Sequence, residues 1–214
     1  FPLTREMWKG QADALTKQNL RLIVPDLRGF GENQNFSDLL TMEEMARDVA
    51  ALLESLKIER AIIGGLSMGG YVTFNLFRLF PEKFAGLVLC DTTFSADTEE
   101  KRESRFDLIE KIEKIGPRAL VENMLPNLVS PETKQNNPEL MGELETKLLE
   151  ANPKAVVAAL RGMAERSDHG QLLDQITVPT ILIFGEHDKI TNLETAQEMH
   201  RRIPNSRLVE IKSA

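Results

Sequence analysis

The chain has 214 residues, 42% of them hydrophobic and 28% charged, with a formal net charge of −7 and one cysteine. That length supports one substantial core with room for a small appended unit. No run approaches the about 18 apolar residues of a membrane span, the acidic balance opposes a nucleic-acid partner, which needs a basic face, and the lone Cys90 excludes an internal disulfide, which points to a reducing, cytoplasmic setting.

In chain order, Arg5 to Leu15 reads as a helix, with Met7, Trp8, Ala12 and Leu15 near helical spacing. Leu20 to Val24 reads as a strand stopped by Pro25. Thr41 to Leu56 is a helix opened by a capping box, Thr41 with Glu44. Arg60 to Ile63 is a strand, Met68 to Phe80 a helix closed by Pro81, and Phe84 to Cys90 another strand. Thr180 to Phe184 and Arg207 to Ile211 are the last two strands, with a helix between them that a second capping box, Thr191 with Glu194, is expected to open. Short apolar strands alternating with helices predict an α/β fold: a mostly parallel sheet with helices on both faces. Residues 95–166 break the alternation. Helical stripes such as Phe106, Ile109 and Ile112, punctuated by Pro117, Pro126, Pro131 and Pro138, predict a helical insertion between two strands. The expected division is a core of 1–94 and 167–214 with a helical unit of 95–166.

The stretch GGLSMGG, residues 64–70, carries the chemistry. Gly65-Leu66-Ser67-Met68-Gly69 fits G-x-S-x-G between a strand and a helix. Such a junction must reverse sharply, and side chains two before and two after the serine are expected to collide, so both glycines are required. The reversal pushes the Ser67 hydroxyl into the crevice beyond the strand's C-terminal end, where open α/β sheets bind ligands. The helix starting at Met68 offers free N–H groups and a positive dipole end to an oxyanion. A phosphate-cradling loop is the rival for any glycine cluster. It fails here, because no Lys-Ser/Thr follows and G-x-G-x-x-G fits no register.

GGLSMGGYV, PEKFAGLVLCDT and VPTILIFGEHDKIT together resemble the α/β-hydrolase superfamily, and more narrowly its small bacterial carboxylesterases and 3-oxoadipate enol-lactonase-like proteins. PDLRGFGEN resembles the loop after that family's fourth strand, with Asn33 where serine is frequent. The resemblance implies that residues 95–166 form a cap over the crevice. It implies that Asp188, in the loop after TILIF, is the acid of the triad; on spacing alone a plain loop aspartate is as good a reading, and Asp91 is the reserve. Phe1-Pro2 matches the end of the family's His-Gly-Phe-Pro loop, so Phe1 and Met68 are the implied oxyanion donors.

The base is harder to place. His187 adjoins Asp188 on one loop, His200 lies late in a helix and His169 stands after the helical region, and none is expected to be catalytic. The family's histidine follows the last strand, which here is followed only by Lys212-Ser213-Ala214. The expectation is therefore a chain longer at both ends, with negligible turnover from the 214 residues alone. The implied function is hydrolysis of a small-molecule ester or lactone through an acyl-enzyme, with no metal or organic cofactor, no nucleic acid or membrane, and a monomer or homodimer. The alternative is a ligand-binding or signalling protein of the same fold with little turnover.

Overall fold

The computed structural model describes residues 1–214. Four strands, β1 (Ala61–Leu66), β2 (Phe84–Cys90), β3 (Thr180–Gly185) and β4 (Ser206–Ile211), form one parallel sheet in that order. The helices are α1 (Lys9–Thr16), α2 (Met42–Ser55), α3 (Met68–Leu79), α4 (Glu99–Ile115), α5 (Arg118–Met124), α6 (Pro131–Asn136), α7 (Pro138–Glu150), α8 (Pro153–Ala164) and α9 (Leu193–Arg202). The α/β architecture follows from the alternation, since parallel neighbours require a crossover and the crossovers here are helices.

Local chemistry sets most boundaries. Thr41 and Glu44 form the expected capping box at α2, which buries Met42, Met45, Ala46, Ala50 and Leu53. α3 packs on β1 and β2, and α9 on β3 and β4. Phe74 and Leu76 of α3 join Phe84, Leu87 and Leu89 of β2 and Leu182 and Phe184 of β3 in one apolar core. Burial alternates along β3: Thr180, Leu182 and Phe184 are buried, whereas Ile181 and Ile183 are half-buried. No helix is long and apolar enough to cross a membrane.

Between β2 and β3 the chain forms five α-helices and no strand. α4 packs on α8 and α5 on α7. α8 buries Val156, Ala159 and Leu160 and lies against the start of α2, where the Leu40 N–H donates to the Ala158 carbonyl at 3.1 Å. A Cβ on Gly162 would enter the Leu40 carbonyl, so glycine permits this approach. Asp97 and Arg166, at the two ends of the helical stretch, meet in a buried ion pair at 2.6 Å, and Arg105 Nε reaches the other Asp97 oxygen at 2.5 Å.

Three expectations change. Leu20 to Val24 is not a strand: it is irregular, with Leu20 52% and Leu22 37% exposed. The run pairs with no strand of the sheet, which ends at β1, whose Ile62 is 70% exposed, and propensity alone does not hold an unpaired strand. The first helix is a 3₁₀ turn (Arg5–Trp8) running into α1, and neither buries a residue. The second capping box does not form. The cap of α9 is Asn192, whose side chain accepts from the Thr195 N–H, because the Thr191 hydroxyl donates to Asp188.

Candidate active site

Ser67 is the first residue past β1 and the N-cap of α3, with φ 52° and ψ −114°. A non-glycine residue at positive φ outside a turn tip is strained by about 1–3 kcal/mol and persists only where its surroundings over-determine it. They do so here. The Ser67 N–H donates to the Cys90 carbonyl at 3.0 Å, and the Ser67 carbonyl accepts from the Gly70 N–H at 2.9 Å and from Thr92 Oγ1 at 2.8 Å. A Cβ on Gly65 would overlap the Gly69 backbone and lie 2.6 Å from Gly70 N, so Gly65 is required as expected. The expectation for Gly69 is corrected. A Cβ there meets nothing within 4 Å; Gly69 contributes the backbone surface that excludes a side chain at Gly65. Gly70 is constrained on the other side of the bend, since a Cβ on it would lie 2.5 Å from Thr92 Cβ.

The register places the other groups at the same edge. Leu66 pairs with Cys90 and Cys90 with Ile183, so Ser67 and Asp91 leave their strands side by side. Asp188 lies three residues beyond Gly185, the end of β3. Two strand spacings, about 10 Å, separate the lines of β1 and β3. One Asp188 oxygen accepts from the Ile190 N–H at 2.7 Å and the Thr191 N–H at 3.1 Å, and the other accepts from the Thr191 hydroxyl. Asp91, the reserve acid, has Oδ1 occupied by the Gly185 N–H at 2.9 Å. Burial and the neighbouring Asp188 carboxylate push the Asp91 carboxyl above its ordinary value, against the pull of the Gly185 N–H. Burial pushes the adjacent Cys90 thiol up to about 11, so it is protonated at neutral pH.

Met68 is the first residue of α3, and an N–H at that position has no intrahelical acceptor. Phe1 packs edge-on against Phe30, with ring centroids 5.9 Å apart. The Asp26 carboxylate organises the neighbouring loop, accepting from the N–H groups of Arg5 at 2.7 Å and Glu32 at 3.0 Å. Depressions of about 510 Å³ beside Ile112 and Arg161, and about 330 Å³ beside Thr4, Phe30 and Lys147, lie elsewhere and include neither Ser67 nor Asp188.

The three histidines are placed away from the Ser67 hydroxyl or already engaged. His200 Nδ1 lies 2.9 Å from Ser206 Oγ at the start of β4, the opposite end of the sheet and about 20 Å away by strand rise. His169 stacks on Phe74, centroids 6.0 Å apart, about 10 Å down the axis of α3 from Ser67. His187 is an exposed neighbour of Asp188, and its N–H donates to the Ala214 carbonyl at 2.7 Å.

Sequence reasoning missed Thr92 and the Asp97–Arg105–Arg166 cluster. Nothing periodic marks either: Thr92 is one small polar residue after a strand, and the cluster joins residues far apart in the chain. A family model described as serine aminopeptidase, S33, matches residues 7–213. The AB hydrolase superfamily protein YisY of Bacillus subtilis is 30% identical over 221 residues, spanning 98% of this chain and 79% of that protein. 3-Oxoadipate enol-lactonase 2 of Acinetobacter baylyi is 24% identical, spanning 97% of this chain and 76% of that one. Among solved structures, a thermophilic esterase from Thermogutta terrifontis superimposes with a TM-score of 0.95 at 42% identity, covering 100% of this chain and 79% of that one. With the serine on its strand-to-helix bend and a matching family model across nearly the whole length, the chain belongs to the α/β-hydrolase superfamily, in the serine aminopeptidase S33 family.

Proposed function

We propose that this protein is a serine hydrolase that cleaves carboxylic esters or lactones of small molecules through an acyl-enzyme. The observation that carries the reading is the strained Ser67, held at the C-terminal end of β1 on the same sheet edge as Asp188. In this reading Ser67 Oγ attacks the carbonyl carbon. The N–H of Met68, with that of Phe1, takes the developing oxyanion, where fixed backbone donors cost no reorganisation. A histidine accepts the serine proton and returns it to the leaving alcohol, and Asp188 orients that ring and stabilises its charged form. Water then repeats the sequence on the acyl-enzyme. This reading is compatible with a base carried near the Asp188 loop, where the His187 N–H donates to the Ala214 carbonyl at 2.7 Å. Helices α4 to α8 act as the cap, with residues 95–166 as its extent.

The likeness to an esterase at 42% identity and to an enol-lactonase supports the ester and lactone class. Steady-state hydrolysis of short-chain p-nitrophenyl esters and of a small lactone by the full-length protein tests it. Turnover that Ser67→Ala abolishes while the fold is retained is the expected result. Turnover that survives Ser67→Ala removes the proposal.

A further inference from the structure

The end of β2 touches both halves of the proposed site, and it does so through residues that play no chemical part in it. On one side the Cys90 carbonyl accepts the Ser67 N–H at 3.0 Å, and Thr92 Oγ1 donates to the Ser67 carbonyl at 2.8 Å. On the other side the Asp91 N–H donates to the Ile183 carbonyl at 3.0 Å, and Asp91 Oδ1 accepts the Gly185 N–H at 2.9 Å. Both backbone groups of the strained serine and the last residues of the strand that carries Asp188 are thus held by three consecutive residues. Asp91 itself has φ +39°, a conformation that Asp and Asn tolerate better than other side chains. Thr92 is completely buried, and Gly70 leaves the space its side chain occupies.

We propose that Asp91 and Thr92 form a positioning bridge that sets the separation between the Ser67 elbow and the Asp188 loop. The inference rests on the reading of Ser67 as nucleophile and Asp188 as acid. Pairing with β2 holds β1 as far as Leu66 and β3 as far as Ile183. Beyond those residues the chain bends, and the two side chains continue the ladder where backbone pairing stops. A displacement of about 1 Å between reacting groups costs up to about 100-fold in rate, so removing either tie slows the chemistry without touching a substrate contact.

The test is the second-order rate of labelling by a fluorophosphonate, followed by intact mass, together with kcat and KM on a p-nitrophenyl ester, for four variants of the full-length protein. Thr92→Val keeps the shape and loses the donor; Thr92→Ser keeps the donor and loses the methyl. Asp91→Ala loses the acceptor; Asp91→Asn keeps one. Thr92→Val and Asp91→Ala are expected to lower kcat and the labelling rate by about tenfold or more, with KM within about twofold. Thr92→Ser and Asp91→Asn are expected to restore most of the rate. If packing against Gly70 is what matters, Thr92→Ser is the slow variant and Thr92→Val the fast one, which overturns the bridge. An Asp91→Asn variant as slow as Asp91→Ala also overturns it, because it makes the charge of Asp91 the working feature. Melting temperatures of all four separate a slow folded protein from an unfolded one. Labelling that persists in Ser67→Ala would instead show that the underlying reading has failed.

Discussion

Asp97→Asn removes the counter-charge from the joint between the helical stretch and α3. The Asp97 and Arg166 side chains are 1% and 3% exposed, with 2.6 Å between their charged atoms, and Arg105 lies on the other carboxylate oxygen. Arg166 also donates to the carbonyls of Ser95 and Met163, both at 3.1 Å, and its guanidinium lies 4.2 Å from the centre of the Tyr71 ring in α3. Burial alone would raise the Asp97 carboxyl, but Arg105 and Arg166 outweigh it and hold it below its ordinary value. Asparagine keeps the shape and leaves two guanidiniums without a counter-ion, a loss of about 3–5 kcal/mol when one member of a buried pair is removed. Unfolding entropy of about 2.1 cal/mol/K per residue, over 214 residues, is about 0.45 kcal/mol/K. The melting temperature should therefore fall by about 7–11 °C at pH 7. The lowered carboxyl is a stabilising contribution present above its unfolded pKa and lost as pH falls through the folded value, so the gap between variant and parent should narrow below about pH 3.9. Calorimetry across pH reads both effects. A variant that melts within about 2 °C of the parent at pH 7 would refute the reasoning, since surface-like substitutions behave that way.

Gly65→Ala should abolish fluorophosphonate labelling, because its methyl would enter the Gly69 backbone, whereas Gly69→Ala should label within about threefold of the parent, its methyl meeting nothing within 4 Å; equal effects of the two would contradict the geometry of the bend. His169 is buried with Nε2 unpartnered, and burial, followed by Arg78 and Arg166 and opposed by Asp168, holds its pKa below 6.5. The unfolded chain therefore binds the proton first, so stability is full above about pH 6.5 and declines as pH falls through the folded value. His169→Phe should keep the stack on Phe74, gain about 1 kcal/mol at pH 7 by removing the orphan, and flatten the loss between pH 7 and pH 5; an unchanged slope in chemical denaturation would count against it.

Much of the fold and the core of the site were legible because each rests on local chemistry. The capping box at Thr41, the apolar runs of β2 and β3 and the bend at Ser67 are all written within about a dozen residues. What escaped depends on which of several possible partners a residue takes, and spacing alone does not rank them. Leu20 to Val24 has strand propensity but no ladder, and nothing within that stretch reveals it. Thr191 has the right spacing to cap α9, yet its hydroxyl serves Asp188, and Asn192 takes the cap. Gly69 satisfies the motif, but the constraint it was expected to carry falls on Gly65 and, through Thr92, on Gly70. For the proposed acid, the loop holding Asp188 is visible in GEHD, whereas the tie of Asp91 to the Gly185 N–H across the sheet has no mark in the sequence.

The central claim is that the Ser67 hydroxyl is an activated nucleophile. Treating the full-length protein with a fluorophosphonate and mapping the adduct by peptide mass spectrometry tests it most directly. One stoichiometric adduct on Ser67, absent from Ser67→Ala and much slower to form in Asp188→Ala, is the expected result. A folded protein that takes up no label, or takes it up at another residue, would contradict the account.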